Sequence, residues 1–200
     1  QLRTTSALPI VFDANYPEEI VIDDNDNILI IGWLRGAMDL DPGAGNVTLN
    51  SNTGEGVYIA KYSSTGNYLW GGGVIGPGGL WPRDIKTDVN ENVYVAMYSF
   101  GGNIDFDINA GTSMMNTVNG VPCLLKLNSA GSFVWSKTFS QNAWSSFINI
   151  EVSQGATAYV ILTTGFRNTK DIDPNAGVVY VSATPPYDGT ASKHDGLILK

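Results

Sequence analysis

A unit of about 65 residues recurs three times along this chain, and that repeat limits the folds open to it more than any other feature. Ile20, Ile85 and Ile150 stand 65 apart, and each opens a short segment that turns and returns as an apolar strand. The returning strands are Asn27-Ile28-Leu29-Ile30-Ile31, Asn92-Val93-Tyr94-Val95-Ala96 and Thr157-Ala158-Tyr159-Val160-Ile161. Asp39, Asp105 and Asp171 then follow at spacings of 66 and begin one phrase: Asp-Leu-Asp-Pro-Gly-Ala-Gly, Asp-Phe-Asp-Ile-Asn-Ala-Gly and Asp-Ile-Asp-Pro-Asn-Ala-Gly. The second half of each unit is a further hairpin. Val57–Tyr62 returns through Thr65-Gly66-Asn67 to Tyr68-Leu69-Trp70, and Cys123–Leu127 returns through Ala130-Gly131-Ser132 to Phe133-Val134-Trp135. Glycine at these turns supplies the positive φ of a tight hairpin.

Each unit therefore reads as strand A, turn, strand B, long loop, strand C, turn, strand D. Four sequential antiparallel strands at a fixed period predict an all-β fold, a β-propeller built of four-stranded antiparallel blades. A β-sandwich with a similar number of strands is the rival, but it does not explain an in-register repeat. We expect one propeller region over residues 1–200, with blades at about 16–80, 81–143 and 144–200. Residues 4–13 align with the D strands, so residues 1–15 are expected to supply an outer strand, while the chain closes on Gly196–Lys200, a C strand. This offset is a common way of closing a ring. Three blades fall short of the usual four to eight or so, so the chain is expected to be part of a longer propeller or to combine with copies of itself through its terminal strands.

Composition agrees with short strands and tight turns. Glycine contributes 23 residues and charged residues only 15%, so almost no helix is expected. The net charge of -8 argues against nucleic acid and anionic membranes, which need clustered Lys and Arg. Cations and neutral ligands such as glycans stay open. No apolar run approaches the ~20 residues that span a bilayer, so no membrane insertion is expected and the chain reads as soluble. Cys123 is the single cysteine, in the apolar run Val121-Pro122-Cys123-Leu124-Leu125, and reads as a buried free thiol. A start at Gln1 fits a mature chain after signal-peptide removal and equally a fragment.

Three phrases together resemble the bacterial beta-propeller repeat (SBBP) family and, more distantly, NHL repeats. They are Trp81-Pro82-Arg83-Asp84-Ile85 through Asp88 to Asn92–Ala96, Tyr58–Tyr62 through Gly66-Asn67 to Trp70, and Asp39-Leu40-Asp41-Pro42. The resemblance implies a propeller in secreted or cell-surface bacterial proteins that bind or scaffold, with no catalytic residues to carry over. The third unit departs from the pattern: Ser153 to Thr157 replaces the Asp-x-x-x-Asn turn, and about nine residues are inserted around Pro185 to His194.

The Asp-x-Asp loops are the candidate metal site: Asp39 with Asp41, Asp105 with Asp107, and Asp171 with Asp173. Carboxylates two apart beside a glycine turn can wrap oxygens around Ca²⁺, a hard cation. The alternative is that the first Asp caps the turn through backbone amides. Asp23-Asp24-Asn25-Asp26-Asn27 looks like an ion loop but falls at the A–B turn, so a turn is expected there. Tyr16, Trp81 and Trp144 precede the A strands on the same face as the Asp-x-Asp loops; exposed, they would stack on sugars or ligand rings, and buried, they would pack between blades. Trp70 and Trp135 in D strands read as structural.

Enzyme readings are weak. His194 is the only histidine, no Gly-x-Ser-x-Gly elbow or Walker loop occurs, and Gly71-Gly72-Gly73 and Gly76-Pro77-Gly78-Gly79, with no helix to follow, read as loop glycines. The expected function is a non-catalytic, secreted or cell-surface module that binds a protein or glycan ligand, with Ca²⁺ as a candidate cofactor. The alternatives are a structural subunit joined by strand exchange and a carbohydrate-active enzyme using carboxylates of the loop face.

Overall fold

The computed structural model describes residues 15–139, 148–155, 158–166, 169–171, 180–182 and 195–199. Among these residues every regular element is a β-strand. The first unit is a meander of β1 (Pro17–Ile22), β2 (Ile28–Asp39), β3 (Thr48–Tyr62) and β4 (Tyr68–Ile75), each antiparallel to the next. The second repeats it with β5 (Leu80–Thr87), β6 (Val93–Asp105), β7 (Met114–Leu127) and β8 (Phe133–Thr138). In the third, β9 (Ile148–Val152) pairs with β10 (Val160–Phe166), which pairs with β13 (Asp195–Leu199). The two short strands β11 (Thr169–Asp171) and β12 (Tyr180–Ser182) pair with each other between β10 and β13.

The turns explain why the strands stop where they do. Asp23 accepts the backbone N–H groups of Asn25 and Asn27, both at 2.9 Å, and Asp88 does the same for Asn90 and Asn92 at 2.9 and 3.0 Å. These are Asx turns, in which a short carboxylate replaces a backbone acceptor. The left-handed position is held by Asp26 and Glu91, both at φ 59°, and by Gly66 and Gly131 in the two C–D turns, at 85° and 79°. Asp23–Asn27, expected to be a turn despite its likeness to an ion loop, is thus a hairpin turn.

Pairing corrects the expected third unit. Ile20 faces Ile30 and Ile85 faces Val95, but Ile150 faces Leu162. The turn is two residues longer there: Ser153 pairs with Tyr159, six positions on, where Asp23 and Asp88 pair with Asn27 and Asn92, four on, and Ser153 Oγ accepts the Tyr159 N–H at 2.9 Å. The B strand begins at Val160 rather than at Thr157.

Alternate residues of each meander feed different cores. Leu29, Ile31, Val57 and Ile59 of the first unit pack against Ile85, Val95, Met97 and Leu125 of the second. Tyr94, Ala96 and Leu124 of the second pack against Ile148, Ile150 and Leu162 of the third. A third cluster lies on the other face of the first unit, where Leu34, Tyr58 and Ala60 are covered by Leu40, Val47 and Leu49 of its own B–C hairpin. Each interface therefore repeats the one before it, and the A strands β1, β5 and β9 lie next to one another in sequence order.

The triple glycine is not a loop. Gly71, Gly72 and Gly73 lie inside β4, and their small size admits neighbours on both faces. A Cβ on Gly72 would collide with the carbonyl oxygen of Ile108 from the second unit, and one on Gly71 would stand 2.7 Å from Leu40 Cδ1. The second unit's B–C hairpin uses that space to reach back across the first unit, where Asp105 pairs with Ile75. Gly76-Pro77-Gly78-Gly79 does join two strands, β4 and β5.

Candidate functional site: an aromatic and ionic ring beside the first strands

Each Asp-x-Asp phrase stands at the end of a B strand. Asp39, Asp105 and Asp171 are the last residues of β2, β6 and β11, and they pair with Thr48, Met114 and Tyr180, nine positions on in every case. Asp39 Oδ1 accepts the N–H groups of Asp41 and Val47 at 3.0 and 2.8 Å; Asp105 Oδ1 accepts those of Asp107 and Ser113 at 3.1 and 2.8 Å. Asp41 and Asp107 then hold the N–H groups of Gly43 and Asn109 at 2.8 and 3.0 Å. The residue between the carboxylates is the anchor: Leu40 and Phe106 are fully buried. One oxygen of each of these four carboxylates thus closes a loop. Asp173 lies outside the described residues, and of Asp171 the backbone alone is described. Among the described residues no group of three or more potential ligands lies together.

The expected aromatic residues lead to a different constellation. Tyr16, just before β1, is exposed, and Trp81, second in β5, is half-buried. Trp144 lies outside the described residues. Between Tyr16 and Trp81 sits Trp33 of β2, its ring centroid 5.6 Å from each. Trp81 continues the stack to Phe100 at 4.5 Å, and Phe100 to Tyr98 at 5.3 Å.

Four charged side chains close this stack into a ring. Trp33 Nε1–H donates to Glu18 Oε2 at 3.2 Å, and Glu18 faces Arg83 at 3.8 Å. The Arg83 guanidinium lies over Trp81 at 5.1 Å. Trp81 Nε1–H donates to Glu55 Oε2 at 3.3 Å, Glu55 pairs with Arg35 at 2.7 Å, and Arg35 returns over Trp33 at 4.8 Å and over Tyr16 at 5.7 Å. Each indole therefore presents its N–H to a carboxylate and its face to a cation, both favourable to a ring quadrupole. Burial lowers the Arg83 pKa, against the opposing effects of Glu18 and Tyr98. Burial raises Tyr98, partly offset by Arg83. The Nε atoms of Arg35 and Arg83 are buried without a hydrogen-bond partner.

Sequence reasoning missed Trp33, Glu18, Arg35, Glu55 and Arg83, because the contacts run between strands A, B and C of two units. The available signal was the spacing of Trp33 and Arg35, alternate residues on one side of one strand. Cys123 is fully buried, and burial pushes its thiol pKa far above the ordinary value, as expected for an inert thiol. Compared with known proteins, the chain matches no protein-family model, no curated protein and no solved structure.

Proposed function

We propose that the three units are blades of a β-propeller, and that the chain is a non-catalytic binding module, secreted or held at the cell surface. The ring of Trp33, Glu18, Arg83, Trp81, Glu55 and Arg35, with Tyr16 open to solvent beside it, is the observation that carries the binding reading. The order of the A strands and the recurrence of one interface support the blades. The exposed Tyr16 ring, flanked by the guanidinium of Arg35 and its partner Glu55, suits a glycan, whose apolar ring face stacks while its hydroxyls exchange hydrogen bonds with charged groups.

The test is a screen of glycans and peptides with and without Ca²⁺, followed by Tyr16→Ala and Arg35→Ala. Binding that weakens about tenfold or more in either variant, near 1.4 kcal/mol, supports the assignment. A screen in which nothing binds removes it. Assaying the same glycans for released reducing ends tests the hydrolytic alternative; turnover abolished by Asp105→Asn would replace the binding reading.

A further inference from the structure

The ring beside the first strands holds more donors than its own acceptors take. Glu55 offers Oε1 to Arg35 Nη2 at 2.7 Å and Oε2 to the Trp81 indole N–H at 3.3 Å. Glu18 offers Oε2 to the Trp33 indole N–H at 3.2 Å, while its Oε1 faces Arg83 Nη1 at 3.8 Å. Every oxygen of the two carboxylates thus faces a donor of the protein. The guanidinium of Arg35 is not matched in return. It meets Glu55 through Nη2, its Nε is buried without a partner, and among the described residues it has no hydrogen bond to any other group. An arginine carries five N–H donors in a fixed fork, and this side chain is 36% exposed. The second unit shows that the fold does not need a cation there. In the same register Phe100 pairs with Asn119 where Arg35 pairs with Glu55, and the Phe100 ring closes on Trp81 at 4.5 Å as Arg35 does on Tyr16 at 5.7 Å. A hydrocarbon is enough to pack that corner, yet the first unit keeps an unsatisfied guanidinium at the surface.

We propose that the glycan taken by this site is acidic, a uronic acid whose carboxylate accepts from the Arg35 guanidinium while the sugar ring lies on Tyr16. The arginine fork matches a planar carboxylate, and a charge-assisted hydrogen bond is roughly twice as strong as one to a hydroxyl. The charges of Glu18, Glu55, Arg35 and Arg83 cancel, so the ring itself does not repel an anion. The chain's net charge of -8 opposes the ligand only at longer range, where screening over about 8 Å at physiological salt weakens it. This inference rests on the glycan reading above, but it fails separately: a neutral glycan bound through Tyr16 and Arg35 would overturn the acidic class alone.

The experiment is calorimetric titration of the full chain with oligomers of galacturonate, glucuronate, mannuronate and guluronate, each beside its methyl ester, which keeps the ring and hydroxyls but loses the charge. At least one acid is expected to bind about tenfold or more tighter than its ester. Arg35→Gln should bring that acid down to the affinity of its ester, and Arg35→Lys should restore part of the difference. Glu55→Gln removes the carboxylate that competes for Arg35, so it should tighten the acid and leave the ester unchanged, a gain that misfolding cannot produce. Esters that bind as well as their acids, a preference for the acid that survives Arg35→Gln, or an acid that gains nothing in Glu55→Gln would each overturn the proposal. Binding by neutral glycans alone would overturn it too and leave the binding reading standing, whereas silence from acids, esters and neutral glycans alike would remove both.

Discussion

The carboxylate of Asp84 joins two units of the fold: its Oδ2 accepts the backbone N–H of Ile150, 66 residues on, at 2.9 Å. Its Oδ1 is held by Ile85 N–H at 2.8 Å and Lys86 Nζ at 2.5 Å, and the residue is buried. Asp84→Ala leaves these donors unpaired and should destabilise the chain by about 2–3 kcal/mol, the range for a charged buried hydrogen-bonding group. Asp84→Asn keeps an acceptor and should cost less. Urea unfolding of the two variants measures the difference; equal midpoints would show that the contact contributes nothing.

Lys61 ties the first two units together from β3. Its ammonium lies 2.6 Å from Asp23 and 3.4 Å from Glu91, in the A–B turns of successive units, and its side chain is 5% exposed. Asn25 also donates to Glu91. Lys61→Met removes the cation and leaves Asp23 buried without it, which should cost about 3–5 kcal/mol. Adding Asp23→Asn should recover much of that loss, and a double-mutant cycle reads the coupling.

Acid should weaken the fold through the same carboxylates. Burial alone would raise Asp23, but Lys61, Asn27 and Asn25 together hold its pKa below the ordinary 3.8. Asp88 is lowered too, its burial outweighed by hydrogen bonds from Asn92, Tyr94 and Asn90. A folded pKa below the unfolded one gives stability that is present above the unfolded value and lost as pH falls through the folded one. The melting temperature should therefore decline on acidification below about pH 4. Asp88→Asn should make that decline shallower; an unchanged slope would place the acid sensitivity elsewhere.

Two glycines one residue apart should behave differently. Gly72→Ala drives a methyl into the Ile108 carbonyl, a backbone atom of the neighbouring unit, while the nearest atom to a Cβ on Gly73 is Leu34 Cδ2 at 3.2 Å, a side chain able to give way. Thermal melts should show a loss of about 1–3 kcal/mol for the first and clearly less for the second. The reverse order would mean that the hairpin does not pack over β4 as described.

The Asp-x-Asp loops permit a direct calcium test. Because Asp39 and Asp105 each spend one oxygen on two backbone amides, the loops close without a cation, and equal melting temperatures are expected in Ca²⁺ and in chelator. A rise in Ca²⁺, about 2.7 kcal/mol at a hundredfold excess over Kd, would assign the ion to these loops.

Much of the fold was legible because the repeat aligned the strand ends and the turn residues at once. Asp23 and Asp88, or Gly66 and Gly131, identify a hairpin by chemistry that acts within five residues. The third A–B turn escaped because equal spacing hid a two-residue lengthening between Ser153 and Tyr159. Gly71–Gly73 misled for another reason: glycine marks both turns and close approach, and only the position of Ile108 distinguishes them. The ring escaped almost entirely, since Glu18, Arg35, Glu55 and Arg83 are unremarkable surface charges until the strands bring them beside Trp33 and Trp81. Lys61 and Lys126 show the limit of reading one repeat from the next. The first reaches Asp23 directly, whereas the second lies 4.8 Å from the Tyr94 ring, whose hydroxyl donates to Asp88 at 3.0 Å.

Because the middle meander gives one face to the first unit and the other to the third, and the two interfaces use matching positions, no residue has to know how many units the chain contains. Duplication or deletion of a whole unit joins two surfaces that already fit, so unit number can drift in evolution while the turn and core residues stay under the same local selection. The same modularity predicts unequal persistence under stress. The middle unit is braced from both sides and should be the last to open, so proteolytic nicks should gather first in the first and third.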